Sequence, residues 1–390
     1  MTAVTMHHFS GLSAPFVRSK GTVSGGVFRE EFLNVIQRAV VIAPADSPLE
    51  SLECVLLEAD HSTQKLTVTA TNVELSLEQR LPCKTDRDDA LLVNARLLAA
   101  MLERLDGDTV SLEHVFDGTT VTLRSGTASY TVAVYTRGGF PKPQLPFPED
   151  TILLRGLPSM ARNTVFAAAR EKQQTMLSCV HLCFSDAGLQ AVSSDGSCMV
   201  SARSAASCSG NRSLLLPAVS LQKLARMCRE EDEFRVGTTG KSLVLFREDF
   251  LFSARLMEGG YIDSDQLMQS VTHLFTVLTD VETLQETLLA VTTVHPNGKC
   301  CLSFQGTQLE LRAAGKAGQA AMAVSVIPLS GTPKGDFWFS ARRLLQSLRA
   351  LSGTATLGMA QGGMLTLSTE QADYLQTAVR PDEAVLDRAA

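Results

Sequence analysis

At 390 residues the chain is too long for one ordinary domain, and its length predicts two or three. A hydrophobic fraction of 45% suits a globular core, and a charged fraction of 19% argues against disorder. The formal net charge of -6 excludes a uniformly basic nucleic-acid binder, so any contact with DNA requires basic residues gathered on one surface.

The N-terminal segment is rich in Ser, Gly and Thr and lacks the apolar block of a signal peptide. Residues 1–26 are therefore expected to form a disordered arm. No window reaches the roughly 18 apolar residues of a membrane span, so we expect a cytoplasmic protein that does not contact membranes. Nine cysteines in a large chain predict reduced thiols rather than a disulfide framework.

An internal repeat organises the chain. Three extended apolar stretches, at 91–96, 214–219 and 337–342, each lead into a helix that carries basic residues. The expected helix starts at Asn94, Pro217 and Ser340 are spaced by 123 residues each time. Asn94 and Ser340 are favourable N-cap residues, and Pro217 suits the first turn of a helix.

Two further landmarks support the repeat. Strand-like segments begin at positions 66, 189 and 309, which are 123 and 120 residues apart. An earlier amphipathic helix opens each unit, at 28–43, 157–172 and 281–295, with apolar residues at i, i+3, i+4 and i+7. Between the helices the apolar residues alternate at period two, which predicts antiparallel strands.

These patterns predict an α+β fold with three similar domains, each with two helices packed on antiparallel sheet. A proline-rich segment at 141–148 and a polar stretch at 263–269 separate the units. The predicted domains are 27–146, 147–269 and 270–381, called here the first, second and third repeats, and they are followed by a tail at 382–390.

Five phrases in register resemble the beta subunit of bacterial DNA polymerase III, the DNA sliding clamp family. They are ATNVEL at 70–75, GGFPKPQLP at 138–146, SSDGSCM at 193–199, SARLMEGGYIDSDQL at 253–267 and YLQTAVRP at 374–381. The resemblance spans about 28–381 and implies a DNA-clamp fold that closes into a ring as a head-to-tail homodimer.

The resemblance also implies a function. Such a ring encircles duplex DNA without reading its sequence and tethers polymerase and other partners for processive replication. It is not an enzyme, needs no cofactor, and acts at the nucleoid. Its expected partners are a replicative polymerase subunit, a clamp loader and other proteins that carry clamp-binding motifs.

A sliding ring must attract phosphates without gripping bases, which requires Lys and Arg directed at the hole. Basic residues on the predicted helices are the candidates: Arg38, Arg96, Arg104, Arg162, Arg170, Lys172, Lys223, Arg226, Arg229, Arg342, Arg343 and Arg349. For any single one, solvation of a helix surface is the alternative interpretation. Glu282 and Glu286 make the opening helix of the third repeat acidic.

The family resemblance further implies an apolar pocket between the second and third domains that binds short peptides of partner proteins. Matched residue by residue, its members are Leu177, Ser194, Gly196, Met199, Ile262, Leu267, Leu375, Val379 and Arg380. The family's His-Arg pair after Asp-Gly is Ser197-Cys198 here, its Pro is Ile262, and an expected Arg is Gln174. A changed peptide preference is therefore expected, with ordinary core packing as the alternative for the apolar members.

A second pattern points to different chemistry. Cys179, His181 and Cys183 alternate, so on a strand they would share one face, as zinc ligands do. Zinc usually takes four ligands, and no complementary pair stands out in the sequence, so buried cysteines are favoured. The sequence lacks phosphate-binding loops and a hydrolase nucleophile elbow.

Three alternatives stay open at this point. The chain could be a clamp-like protein of a mobile element with altered partners. It could be a Cys/His metal-dependent enzyme on a β-rich scaffold. It could also be a β-rich interaction scaffold that never meets DNA.

Overall fold

The computed structural model describes residues 22–115, 118–144, 147–170, 175–186, 188–204, 212–315 and 318–381. Within these residues the helices are α1 (Arg29–Ile42), α2 (Ala95–Arg104), α3 (Leu157–Thr164), α4 (Ala218–Met227), α5 (Ser264–Ser270), α6 (Val281–Val291) and α7 (Ala341–Ala350).

Antiparallel strands make up most of the remaining structure. Those before residue 150 are β1 (Thr22–Phe28), β2 (Cys54–Asp60), β3 (Lys65–Thr71), β4 (Leu75–Pro82), β5 (Lys84–Thr85), β6 (Asp89–Asn94), β7 (Thr109–Val115), β8 (Thr120–Ser125) and β9 (Ala128–Ala133). The next eight are β10 (Ile152–Leu154), β11 (Cys179–Ser185), β12 (Gly188–Ser194), β13 (Cys198–Ser204), β14 (Arg212–Pro217), β15 (Phe234–Thr239), β16 (Ser242–Arg247) and β17 (Phe250–Arg255). The last nine are β18 (His273–Asp280), β19 (Lys299–Gln305), β20 (Gln308–Gly315), β21 (Gly318–Ser325), β22 (Ile327–Gly331), β23 (Lys334–Ser340), β24 (Thr354–Ala360), β25 (Met364–Ser368) and β26 (Ala372–Thr377).

The chain divides into two compact units. The first contains the residues up to 147 together with 244–253. One of its sheets has the order β5-β1-β7-β8-β9, and another contains β6, β2, β3, β4 and β17 as successive neighbours. Helix α1 buries Phe32, Val35, Ile36 and Ala39, and it packs against α2 and against β3 and β4.

The second unit contains residues 148–243 and those from 254 onward. Its largest sheet has the order β14-β11-β12-β13-β26-β25-β24-β18-β22, and a second sheet has the order β21-β20-β19-β23. Strands β13 and β26 pair antiparallel, so the second and third repeats share one continuous sheet. The core between the two sheets is built around Phe275, Leu288, Phe304, Phe339 and Tyr374.

The predicted helix pairs are present in all three repeats. Helix α1 packs on α2, α3 on α4, and α6 on α7. Each second helix follows directly on a strand, namely β6, β14 or β23, as the repeated extended-then-helical pattern predicted. The α+β fold class is confirmed, while the three domain boundaries stay a prediction.

Helix starts differ in how their backbone is capped. The Asn94 side chain accepts a hydrogen bond from the Leu97 N–H at 3.0 Å, as the sequence predicted. Ser340 stands at the equivalent position of α7, but its side chain makes no capping bond. Pro217 precedes α4 as the last residue of β14.

Two predicted segments differ in extent. The opening helix of the second repeat ends at Thr164 instead of near residue 172. The Thr164 hydroxyl donates to the Met160 carbonyl, and the Thr164 carbonyl accepts from the Ser193 hydroxyl of β12, so this carbonyl is taken up by the sheet and the chain continues only as a 3-10 turn at Val165–Ala167. At the N-terminus β1 begins at Thr22, within the arm predicted as disordered through residue 26, because its backbone pairs with β7.

The cap difference is testable. Asn94→Ala should lower the free energy of unfolding by about 1 kcal/mol, because the Leu97 N–H loses its acceptor. Ser340→Ala is the matched control, with an expected change within about 0.5 kcal/mol. Urea denaturation followed by circular dichroism measures both, and equal losses would contradict a specific cap at Asn94.

Candidate partner-binding pocket and basic helix surfaces

The pairing of β13 with β26 creates an apolar patch on one face of the large sheet. Met199 lies opposite Leu375 in this pairing, and both are buried together with Val192. Half-buried apolar side chains from the segment after β17 and from β25 pack on them: Tyr261, Ile262, Leu267, Met268, Val271 and Met364. We call these nine residues the pocket cluster.

Four residues that the family resemblance assigned to a pocket belong to this cluster, namely Met199, Ile262, Leu267 and Leu375. They come from two separate repeats and from the segment that follows β17. The alternation of β13 explains the selection, because Cys198 and Val200 face the main core while Met199 lies on the opposite face of the sheet, in the pocket cluster.

Two other predicted pocket residues lie at the turn between β12 and β13. Ser194 is buried, and its hydroxyl donates to the Cys198 carbonyl at 2.8 Å. Gly196 has φ +86°, and a Cβ added there would meet open space. Only glycine adopts this backbone at little cost, so the turn leaves its outer surface uncovered.

The three remaining predicted members lie outside the pocket cluster, before β11 and after β26. Leu177 is half-buried in the turn before β11. Val379 donates its N–H to the Trp338 carbonyl at 2.7 Å, and Arg380 is exposed. Gln174, where the family has Arg, lies outside the described residues, as does the tail at 382–390. The pocket role of all nine assigned residues stays a prediction.

Sequence reasoning missed five members of the cluster, and among them Tyr261 makes the polar contacts. Its hydroxyl accepts the Ser194 N–H at 3.0 Å and donates to the Cys179 carbonyl at 3.1 Å. The residue opposite Cys179 is Pro217, which has no N–H to donate. Tyr261 thus ties the pocket segment to two strands, and its place directly after Gly259-Gly260 was the available signal.

Burial also fixes the protonation state of this hydroxyl. It raises the pKa of Tyr261 to about 12, so the group stays a donor above pH 10, where an exposed tyrosine ionises. Because the folded pKa lies above the usual value near 10, the associated stability is present below pH 10 and is lost between pH 10 and 12.

An ion-pair network holds the turn between β12 and β13. Asp195 Oδ1 accepts the N–H groups of Ser197 at 2.9 Å and Cys198 at 3.0 Å. Its Oδ2 lies 2.5 Å from Nη1 of Arg343 on α7. Desolvation opposes ionisation, but these hydrogen bonds and the Arg343 charge together lower the pKa of Asp195.

The Cys/His pattern on β11 does not form a cluster of metal ligands. His181 Nε2 lies 2.5 Å from the Ser213 hydroxyl, and Cys183 Sγ lies 3.4 Å from the His181 ring. Burial raises the pKa of the Cys183 thiol and lowers the pKa of His181. Within the described residues no three His, Cys, Asp or Glu side chains are placed to share a metal ion.

Most of the basic residues predicted to face DNA are exposed, and a few are half-buried and bound to other side chains. The exposed ones are Arg96, Arg104, Arg162, Arg170, Arg226, Arg229, Arg342 and Arg349. Some side chains also bind nearby groups, since Arg96 donates to the Ala43 carbonyl and Arg162 to the Ser159 hydroxyl. Half-buried Arg38 donates to Gln79, and Lys223 is half-buried. Lys172 lies outside the described residues.

Arg343 differs from the others because its guanidinium is bound to Asp195 and Ser197. The first helix of the third repeat is acidic, as the sequence indicated, and Glu282 accepts the Gly353 N–H at its start. The candidate DNA-facing cations of the third repeat therefore all lie on α7.

Comparison with known proteins shows which proteins this chain is similar to in sequence and in fold. The family model described as DNA polymerase III beta subunit, N-terminal domain, matches residues 26–146. The chain is 26% identical to the beta sliding clamp of Synechococcus elongatus over 339 residues, covering 83% of this chain and 88% of that protein. Residues 26–146 thus match the N-terminal domain of that family, and most of the chain is similar to a beta sliding clamp.

Solved clamp structures show the same fold at low identity. The DNA polymerase sliding clamp of Bacillus subtilis is 16% identical with a TM-score of 0.83, over 92% of this chain and all of that one. The beta subunit of Streptococcus pyogenes is 20% identical with a TM-score of 0.82, over the same shares. The chain therefore has the fold of these sliding clamps, with a divergent sequence.

None of the helices in the described ranges combines the length and the apolarity needed to cross a bilayer.

Removing the bridging hydroxyl tests how the pocket segment is held. Tyr261→Phe should lower the free energy of unfolding by about 1–3 kcal/mol, because the Ser194 N–H and the Cys179 carbonyl lose their partner. Tyr135→Phe is the control, since Tyr135 is half-buried and its hydroxyl bonds to none of the described residues. Denaturant unfolding of both variants measures the difference, and equal stability of the two would contradict the bridge.

Proposed function

We propose that this protein is the sliding clamp of a DNA polymerase III: a non-catalytic ring that encircles duplex DNA and tethers the polymerase for processive replication. The proposal rests on the pair of packed helices that occurs in each of the three repeats. Each repeat places a second helix whose apolar face is buried and whose outer face carries arginine, in a chain that is acidic overall.

This arrangement suits a surface that slides. Phosphates attract exposed guanidinium groups regardless of base sequence, and a ring retains the duplex by topology rather than by tight binding. Arg104, Arg226, Arg342 and Arg349 are exposed on the three second helices and are the strongest candidates for phosphate contact. Arg343 is bound to Asp195 and is left out of this set.

Exposed sheet edges support a head-to-tail dimer. Strand β9 is the edge of a sheet in the first unit, and β21 is the edge of a sheet in the second unit. Edge strands carry unpaired backbone groups that pair readily with another chain. Strand β22, which follows β21 in the chain and is an edge of the other sheet of this unit, exposes Ile327 by 65% and Leu329 by 52%, apolar surface that a partner copy would cover.

When one edge of a chain pairs with a different edge of a second copy, the interface is heterologous. Such head-to-tail contacts close into a ring when the rotation between neighbouring copies permits. We propose that β9 of one copy pairs with β21 of the other, twice in a homodimer. Closure would remove both exposed edges.

The pocket cluster is the proposed docking site for short peptides of the replicative polymerase subunit, the clamp loader and other clamp-binding proteins. It offers an apolar floor at Met199 and Leu375 with half-buried walls, which suits a few apolar anchors of an extended peptide. Its departures from the family at Ser197 and Ile262 support a changed peptide preference. With these roles we expect the protein in the cytoplasm, at the nucleoid.

Topological retention is the decisive test of the ring. The clamp, loaded by a clamp loader onto nicked circular DNA, should stay bound until a restriction enzyme linearises the circle, and should then run off the ends. Size-exclusion chromatography of the DNA complex before and after cutting measures this. Retention that ignores the cut, or a monomeric mass by light scattering, would contradict the ring.

Charge reversal locates the DNA-facing surface. The double variant Arg226→Glu with Arg349→Glu should shorten retention on circular DNA. It should also reduce the slope of log affinity against log salt by about 0.9 for each phosphate that the variant no longer neutralises. The matched control reverses Arg235 and Arg255, which are exposed on strands β15 and β17, with the same change in net charge. Equal effects of the two double variants would contradict a DNA role for the helices.

A leucine truncation tests the pocket. Leu267→Ala should weaken binding of a synthetic C-terminal peptide of the organism's replicative polymerase by about tenfold, because an apolar anchor loses its wall. Leu289→Ala, a 49% exposed leucine on α6, is the control and should bind the peptide normally. Fluorescence anisotropy gives both dissociation constants, and normal binding by the Leu267 variant would exclude this surface as the docking site.

A further inference from the structure

Arg343 reaches from the third repeat into the second. It lies on α7, and its Nη1 approaches Asp195 Oδ2 at 2.5 Å and the Ser197 hydroxyl at 2.5 Å. The same nitrogen lies 3.2 Å from Cys198 Sγ. Three groups of one turn thus converge on a single guanidinium nitrogen.

The third repeat holds this turn from a second side. The Ser197 carbonyl accepts the N–H of Thr377 on β26 at 2.9 Å and its hydroxyl at 3.1 Å. Within the turn, Asp195 caps the N–H groups of Ser197 and Cys198. The turn is therefore fixed by α7 through Arg343 and by β26 through Thr377.

The turn is continuous with the pocket cluster. Ser194, which precedes it, binds Tyr261, and Met199, which follows it, forms the floor opposite Leu375. Gly196 at its tip is exposed and has a positive φ, and a Cβ added there would meet open space, so the tip of the turn is not held by packing. Its position depends on the polar contacts at its two ends.

The Arg343–Asp195 pair has the character of a structural contact. The side chains are 36% and 16% exposed, so the pair is shielded from salt more than an open surface pair is. By contrast, Arg342 at the preceding position of α7 is exposed. Adjacent helix residues point in different directions, which explains why two neighbouring arginines have different surroundings.

We propose that Arg343 is a positioning residue that latches the turn at 195–198 onto α7 and so keeps the pocket cluster shaped for a partner peptide. This inference rests on the proposed peptide-docking function. It also predicts that Arg343, despite lying on a second helix, contributes to peptide affinity and not to DNA retention.

The test compares Arg343→Met with Lys334→Met, which removes an equal charge from an exposed site on β23. Hydrogen–deuterium exchange at the amides of Ser197, Cys198 and Thr377 should become at least about tenfold faster in the Arg343 variant, because local opening becomes easier. Affinity for the synthetic polymerase peptide should fall by about tenfold. The Lys334 variant should match the wild type in both measurements.

A double-mutant cycle guards against a general loss of folding. Asp195→Asn retains an acceptor for the Ser197 and Cys198 amides but removes the charge, and it should reproduce the Arg343→Met effect. Combining the two changes should add little, because the residues act as a pair. Additive losses would overturn the latch.

The outcomes separate this inference from the proposed function. Unchanged exchange in the Arg343 variant overturns the latch, whatever the peptide does. Faster exchange with undiminished peptide affinity also overturns it, because the turn would then not shape the pocket. If the wild type binds no polymerase peptide, the docking proposal fails, and the role assigned to Arg343 in peptide binding fails with it. The exchange comparison would still show whether Arg343 holds the turn.

Discussion

The antiparallel pairing of β13 with β26 is the contact on which the second unit depends. It joins strands that lie more than 160 positions apart in the sequence and makes one sheet of two repeats. Val200 and Tyr374 enter the core on one face, while Met199 and Leu375 form the pocket floor on the other. Because strand side chains alternate, a slip by one residue would exchange these faces and destroy core and pocket together.

Polar contacts then fix what the sheet brings together. The Tyr261 hydroxyl satisfies one donor and one acceptor of the backbone, and Arg343 neutralises the carboxylate that shapes the neighbouring turn. Both groups are partly removed from water, so an unpaired partner would be unfavourable and the pairing is specific. These two side chains hold in place the strands and the segment that carry the apolar cluster, which is the proposed peptide-docking surface.

The repeat distributes its charges unequally. The second helices carry exposed arginines in all three repeats, whereas the first helix of the third repeat carries Glu282 and Glu286. One arginine of α7 is paired with Asp195, whereas its neighbour Arg342 is exposed. In the proposed ring, these exposed arginines would attract phosphates weakly and diffusely, and topology would retain the DNA.

The sequence by itself determined the fold class, the helix pairs and their spacing, because burial periodicity and turn residues are local properties of the chain. Family phrases also located four members of the pocket cluster, including Met199 and Leu375. Only the tertiary structure decided that Tyr261 bridges two strands, that Arg343 binds Asp195, and that α3 ends at Thr164. Each of these depends on partners distant in the sequence, and no local pattern encodes which distant group a side chain will meet.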